Sequence, residues 1–332
     1  MVNKVAIISG ISGQDGSYMA ESLLLKGYSV YGLTRQNTSL DQFINLKHLT
    51  GDFRLIQTNY EQSEINDLIR NINPGEIYNF TGQSYVSKSW NLVEETIFSQ
   101  GIIASRFLVA IEKINPSIKF LNTSSAEVFG INANDEINQN SFIAPYNPYG
   151  CGQSLGHLMV DSYRKNKGIY AVNAVLFPHE SPRRSPDFAF QKIISTAVSI
   201  KKNMIDELKI GNLDVERDWS YAPSFIESMI NMLSLHNPEN FFLCSGKTHS
   251  IREIVSIVFD YLDLDWEKYV TVDKSLMRFY EPQKIVGNPE KAFKCLELSS
   301  SILMNDIIKN IIDFEIINFN NNNKNFKDEI FL

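Results

Sequence analysis

Tyr149 and Gln153 stand four residues apart, a spacing that places both side chains on one face of a helix. A phenol so placed can take up a proton if its surroundings favour the anion. Gln153 offers an amide hydrogen bond but no charge. An unperturbed tyrosine titrates near pH 10, so half ionisation at neutral pH needs about 4 kcal/mol from other groups. Upstream, Ser124-Ser125-Ala126-Glu127 brings hydroxyls and a carboxylate, side-chain types suited to proton transfer. Beyond the tyrosine comes Pro178-His179-Glu180-Ser181-Pro182-Arg183-Arg184, a dense run of ionisable groups between two prolines.

A second motif suits an anion. Gly10-Ile11-Ser12-Gly13-Gln14-Asp15-Gly16 follows an apolar strand pattern and precedes a helical one. Glycines at three-residue spacing let the backbone approach a pyrophosphate at a helix N-terminus, and bland turns also use glycines. The next strand pattern ends in Thr34-Arg35-Gln36, where an arginine favours the 2′-phosphate of NADP over NAD. The alternative is a solvated surface arginine.

The elements that must carry these motifs alternate. Strand patterns at 5–9, 29–33, 54–57, 76–80, 118–122 and 170–177 are separated by helical patterns at 17–26, 61–71, 94–114 and 149–167. That rhythm predicts an α/β fold, a Rossmann-type doubly wound parallel sheet with ligands at the carboxyl ends of its strands. After residue 177 the alternation weakens, which predicts a smaller C-terminal substrate-binding lobe. The expected division is 1–177 for the dinucleotide domain, with returns near 216–246, then 178–317 mainly for the substrate lobe. The asparagine-rich stretch 318–332 reads as a low-complexity tail.

Composition bounds the function. The 332 residues carry a formal charge of −7, which argues against broad nucleic-acid or anionic-membrane binding. Cys151, Cys244 and Cys295 lack metal-ligand spacing and cannot all pair, so no metal is expected and a reducing compartment is. The first apolar run is too short for a signal-peptide core or a membrane span, and a cytoplasmic protein is expected.

Ser124-Ser125-Ala126-Glu127-Val128-Phe129-Gly130 and Tyr149-Gly150-Cys151-Gly152-Gln153 resemble the active-site segments of extended short-chain dehydrogenases/reductases. Within that superfamily the chain resembles the GDP-mannose 4,6-dehydratases. The residues that carry this are Gln14-Asp15, Ile77-Tyr78-Asn79, Gln83-Ser84, His179 to Arg184, Gly211-Asn212, Arg217-Asp218-Trp219 and Gly287-Asn288-Pro289. The resemblance implies that Tyr149 takes the proton of a sugar 4-hydroxyl, that Ser125 hydrogen-bonds the same oxygen, and that Glu127 removes the C5 proton. It implies a cofactor cradle of Gly10, Gly13, Gln14, Asp15, Gly16, Arg35, Asn59, Tyr149, Gln153, His179 and Arg184. Ser84, Lys192, Arg217, Arg278 and Glu281 would face the substrate. A GDP-linked nucleotide sugar and a homodimer or homotetramer follow from the same source, the helices at 94–114 and 149–167 meeting at one interface.

The chain also departs from that family. Gln153 replaces the lysine whose charge stabilises the tyrosinate; Lys88 could compensate, although an exposed helix lysine is the commoner explanation of that residue. Ala126 and Pro178 replace polar residues. Glu281 and Lys284 reverse the charges of an arginine that meets the diphosphate and a glutamate that meets the ribose. Three readings follow: an NADP-dependent nucleotide-sugar 4,6-dehydratase of full or reduced activity, an impaired homologue that binds cofactor as a partner subunit, or a same-scaffold enzyme oxidising or epimerising another nucleotide sugar.

Overall fold

In the computed structural model, which describes residues 4–36, 43–130, 136–277, 280–296 and 302–321, the apolar runs become one parallel sheet. Its first strands are β1 (Val5–Ser9), β2 (Ser29–Thr34), β3 (Phe53–Gln57), β4 (Glu76–Asn79), β5 (Lys119–Ser125) and β6 (Ala171–Leu176). Helices α1 (Gln14–Leu25), α2 (Gln62–Ile72), α3 (Val93–Ile97), α4 (Ile103–Ile114) and α5 (Pro148–Lys167) cross between them. Past β6 come β7 (His179–Glu180), α6 (Ala189–Lys201), β8 (Leu208–Ile210), β9 (Glu216–Arg217), β10 (Ser220–Tyr221) and α7 (Ala222–Ser234). The chain then runs through β11 (Phe241–Leu243), β12 (His249–Ser250), α8 (Ile251–Tyr261), α9 (Trp266–Tyr269), β13 (Val270–Val272), β14 (Lys284–Ile285), α10 (Glu290–Leu296) and α11 (Met304–Asn321).

The main sheet has the order β11-β6-β5-β4-β1-β2-β3 with every neighbouring pair parallel. The chain winds outward from β1 in both directions, so a crevice opens beyond the carboxyl ends of β1 and β4. Met19 and Leu23 of α1 pack with Phe225, Met229 and Met232 of α7 in one core. Ile65 and Ile69 of α2, Phe107 and Ile111 of α4, and Val160 of α5 fill another. A separate core joins α6, α8 and α11 through Ile193, Ala197, Ile254, Val258, Ile308 and Ile311. Short strands edge that part: β8 pairs with β13, and β9 lies between β12 and β14. The asparagine-rich stretch starts inside α11, which runs to Asn321, and its remainder lies outside the described residues. No described helix is long and apolar enough to cross a membrane.

The helical pattern at 94–114 is interrupted. Phe98–Ile102 forms a π turn between α3 and α4. Ser99 Oγ donates to the Glu95 carbonyl at 2.7 Å, drawing an acceptor away from the regular helical ladder.

Asn79, Asn122 and Asn173 occupy one register row across β4, β5 and β6. Asn79 donates to Asn122 at 2.8 Å, Asn122 to Asn173 at 3.1 Å, and Asn173 to the His157 carbonyl of α5 at 3.1 Å. All three are at most 1% exposed, so each amide depends on its neighbours. Asn122→Leu leaves the Asn79 amide hydrogens and the Asn173 oxygen short of partners. Urea unfolding should show a loss of about 3 kcal/mol, at one to three per orphaned group. A loss under about 1 kcal/mol would mean that the row contributes little.

Candidate active site

The β1–α1 junction is closely packed backbone. Gly10 has φ +74°, and a Cβ there would lie 2.6 Å from the Phe80 carbonyl oxygen. A Cβ on Gly16 would lie 2.4 Å from the Gly10 oxygen. α1 begins at Gly13 with no side-chain cap, so its first N–H groups face the crevice without that partner. This arrangement fits a dinucleotide pyrophosphate. Gln14 and Asp15 turn elsewhere: Gln14 donates to the His179 carbonyl at 3.2 Å and accepts from Ser181 at 2.8 Å, while Asp15 meets His179 Nε2 at 3.0 Å. These contacts hold the 177–184 turn against α1. Arg183 reinforces it, reaching Glu21 at 2.5 Å and lying 3.8 Å over the Tyr18 ring.

At the end of β2, Arg35 is paired with Glu95 of α3. Asn59 is exposed after β3, and its backbone N–H donates to Glu64 at 2.9 Å. The next residue, Tyr60, adopts φ 60°, an uncommon conformation for a bulky side chain. Its buried hydroxyl accepts from Ser9 Oγ at 3.2 Å, which ties the β3 end to β1.

The candidate reacting groups converge where β5 ends and α5 begins. Ser125 caps the Ala126–Val128 turn, accepting from the Glu127 N–H at 3.2 Å. Asn147 caps α5, accepting from the Gly150 N–H at 2.7 Å, and Pro148 occupies the first turn. The Glu127 carboxylate accepts from Tyr146 Oη at 3.0 Å and from Asn147 Nδ2 at 3.1 Å. Tyr149 accepts from Gln153 Nε2 at 3.4 Å, and Ser125 lies near enough to influence its phenol. Burial pushes the phenol's pKa above its usual value, and the Glu127 charge adds to this. Hydrogen bonds from Ser125 and Gln153 and the field of Arg184 oppose it without reversing it.

Lys88 is not the compensating cation. Its ammonium meets Asp187 at 3.0 Å and lies 4.0 Å over the Tyr85 ring. The cation whose field reaches Tyr149 is Arg184, stacked 3.5 Å over Phe188 and 3.5 Å from Glu180.

The residues expected to face a substrate are arranged differently from their expected roles. Arg217 is buried and forms an ion pair with Glu281 at 3.0 Å, while donating to the Pro282 carbonyl at 3.1 Å. Lys192 donates to the Lys209 carbonyl of β8 at 2.8 Å. Ser84 is exposed, Lys284 lies 3.9 Å from Glu216, and Arg278 lies outside the described residues. One participant escaped the sequence reading: Gln100, in the π turn, accepts from Gln153 Nε2 at 2.7 Å.

The family model for GDP-mannose 4,6 dehydratase matches residues 7–311. The chain belongs to the GDP-mannose 4,6-dehydratase family. GDP-mannose 4,6 dehydratase 1 of Arabidopsis thaliana is 31% identical over 94% of this chain and 90% of its own length. The Vibrio cholerae GDP-mannose 4,6-dehydratase is 32% identical over 89% and 80%. Among solved structures, a Bacillus cereus UDP-glucuronic acid 4-epimerase in complex with UDP-glucuronic acid and NAD superposes with a TM-score of 0.81 at 21% identity, covering 94% of this chain and 99% of that one. RMD from Pseudomonas aeruginosa complexed with NADPH gives 0.76 at 18% identity, covering 95% and 98%. At those identities the structural likeness shows the fold.

In this member of the GDP-mannose 4,6-dehydratase family, a buried charge cluster backs the site. Burial is the largest influence and works against charge on both Asp15 and His179, but their mutual attraction, the hydrogen bond between them and lesser neighbouring contacts together outweigh it: the Asp15 pKa lies below 3.8 and the His179 pKa above 6.5. His179 therefore stabilises the fold fully below its unfolded pKa and loses this as pH rises through its raised folded value. Asp15 contributes above its unfolded pKa and loses this as pH falls through its lowered value. The stability difference between the parent chain and Asp15→Asn should peak between about pH 4 and 6.5 and shrink on both sides. Urea midpoints that differ by the same amount from pH 3 to 9 would contradict the ion pair.

Proposed function

We propose that the chain is an NADP-dependent nucleotide-sugar 4,6-dehydratase acting on GDP-mannose, with proton transfer slowed by the glutamine at 153. The observation that carries this is the meeting of Ser125, Tyr149 and Glu127 between β5 and α5, where the Glu127 charge is felt by the phenol. A carboxylate beside the phenol suits dehydration, because oxidation or epimerisation at C4 alone needs no base at C5.

The bound dinucleotide supplies the acceptor for hydride leaving C4 and the donor that returns it to C6. Tyr149 takes the proton of the 4-hydroxyl, and Ser125 hydrogen-bonds that oxygen. The resulting C4 ketone acidifies the C5 proton, which Glu127 removes. The C6–O bond then breaks and the hydroxyl leaves as water, carrying the proton that Glu127 took. The proton that Tyr149 took balances the one returned to C5. Arg184 is the fixed positive charge that favours the tyrosinate.

A panel of nucleotide sugars incubated with NADP⁺ tests this by the appearance of a 4-keto-6-deoxy product. Product from GDP-mannose supports the proposal. The Arg217–Glu281 ion pair favours a second reading, in which the same site acts on another nucleotide sugar, since a cation expected to face the substrate already has a carboxylate partner. Product from another sugar alone would establish that reading, and cofactor binding without turnover would leave a non-catalytic subunit.

Two further outcomes follow. Because burial raises the Tyr149 pKa, turnover should climb close to tenfold per pH unit between about pH 7 and 9. Gln153→Lys should raise turnover at pH 7 by about a hundredfold, as a two-unit fall in the phenol pKa would. A flat profile in the parent chain, or no gain in the variant, removes Tyr149 ionisation as the limiting factor. Arg35 supports NADP over NAD, yet Glu95 competes for its guanidinium. Glu95→Gln should raise the NADP⁺ to NAD⁺ affinity ratio several-fold in fluorescence titrations at low salt. An unchanged ratio would show that Arg35 does not read the 2′-phosphate.

A further inference from the structure

Gln100 and Gln153 belong to a hydrogen-bonded chain whose direction is set by the backbone. Gln100 Nε2 donates to the Gln83 carbonyl at 2.7 Å. A carbonyl only accepts, so the NH₂ end of Gln100 must face it and Oε1 must face Gln153. Gln153 in turn must present its own NH₂, which donates to Gln100 Oε1 at 2.7 Å and to Tyr149 Oη at 3.4 Å. Its other end, Oε1, is buried and accepts no hydrogen bond among the described residues, in a side chain only 5% exposed. A buried, unpartnered amide oxygen is costly unless a ligand donates to it.

We propose that Gln100 is a positioning residue that holds the Gln153 amide in one orientation, its NH₂ toward Tyr149 and its oxygen free to accept from a hydroxyl of a bound ligand. On the dinucleotide reading given above, on which this rests, the donors available beside Tyr149 are the hydroxyls of the nicotinamide ribose. The geometry is built in on both sides of Gln100. A Cβ on Gly82 would fall 2.3 Å from Gln100 Oε1, and one on Gly152 would fall 3.0 Å from Gln100 Cβ. An ammonium donates whichever way it turns. An amide must be oriented, and Gln100 does this.

The test compares NADPH with 2′,5′-ADP, which lacks the nicotinamide and its ribose. Gln100→Met keeps the side-chain length and removes both hydrogen bonds. It should weaken NADPH binding about tenfold, as one lost hydrogen bond to a ligand would, and leave 2′,5′-ADP unchanged. In a Gln153→Lys background the same change should cost less than about twofold, since the coupling between the positions is gone. Should Gln100→Met fail to fold, Gln100→Asn draws the amide back by one methylene and carries the same expectation. Equal NADPH affinity in the parent chain and variant overturns the proposal, and so does a parallel loss of 2′,5′-ADP. Failure of the parent chain to bind either NADPH or NADH overturns the dinucleotide reading and this proposal together; normal binding without a Gln100 effect overturns this proposal alone.

Discussion

The backbone of the π turn touches the backbone of α5, and the rest of the site is arranged around that contact. Glycines permit it at Gly101, Gly152 and Gly156. A Cβ on Gly101 would lie 2.7 Å from Leu155, and one on Gly156 would lie 2.8 Å from the Gln100 carbonyl. Any larger residue at these positions would separate the two elements or force the backbone to shift, and close-packed interiors absorb such shifts poorly. With no side chain between them, Gln100 is brought within hydrogen-bond reach of Gln153. The first turns of α5 are then held from both ends. Asn147 caps its start and bonds the Glu127 carboxylate, while Asn173 of β6 donates to the His157 carbonyl further along. Tyr149 and Gln153 lie between these two anchors.

Charge reaches the phenol by a different route. The 177–184 turn is held onto α1 by Gln14, Asp15 and Arg183, and this delivers Arg184 to the vicinity of Tyr149. Glu180 lies 3.5 Å from Arg184 and would cancel its charge if fully ionised. Burial instead pushes the Glu180 carboxyl's pKa upward, against the pull of Arg184 and His179. Each proton gained by Glu180 leaves more of the guanidinium's field acting on its surroundings, Tyr149 included. Arginine suits such a place because it stays charged when stacked on an aromatic ring and partly desolvated, where a lysine is more readily neutralised.

Much of the scaffold could be read from residue patterns because each pattern has a local cause. The apolar runs, the glycines at 10 and 16 and the helical spacing near Tyr149 follow from backbone sterics and burial, and they predicted the parallel sheet, while the association of Ser125 and Glu127 with Tyr149 came from the family resemblance. Gln100 was not legible. A helical pattern counted over 94–114 assumes one period throughout, and the π turn at Phe98–Ile102 breaks the phase where Gln100 sits. The partner of Lys88 was not legible either, because closeness in sequence to Gln83 and Ser84 says nothing about Asp187, 99 residues away. Gln14 and Asp15 resemble cofactor contacts by position, yet their partners lie more than 160 residues along the chain. Long-range polar pairing of this kind has no local signature.

On the proposed function, an amide at 153 where the family resemblance implies an ammonium changes two properties of the site that need not fail together. One is charge: the tyrosinate loses a nearby cation, and only the more distant field of Arg184 and two hydrogen bonds oppose burial. The other is hydrogen-bond direction, which the chain from the Gln83 carbonyl through Gln100 keeps well defined. Binding of a hydroxylated ligand depends mostly on the second property, and proton transfer mostly on the first. On the proposed function, such a site would hold its ligand in register while its base stayed weak. The retained Glu127 carboxylate, gripped by Tyr146 and Asn147, would be superfluous in a site that only held a ligand. That grip weighs the balance toward slow chemistry over none.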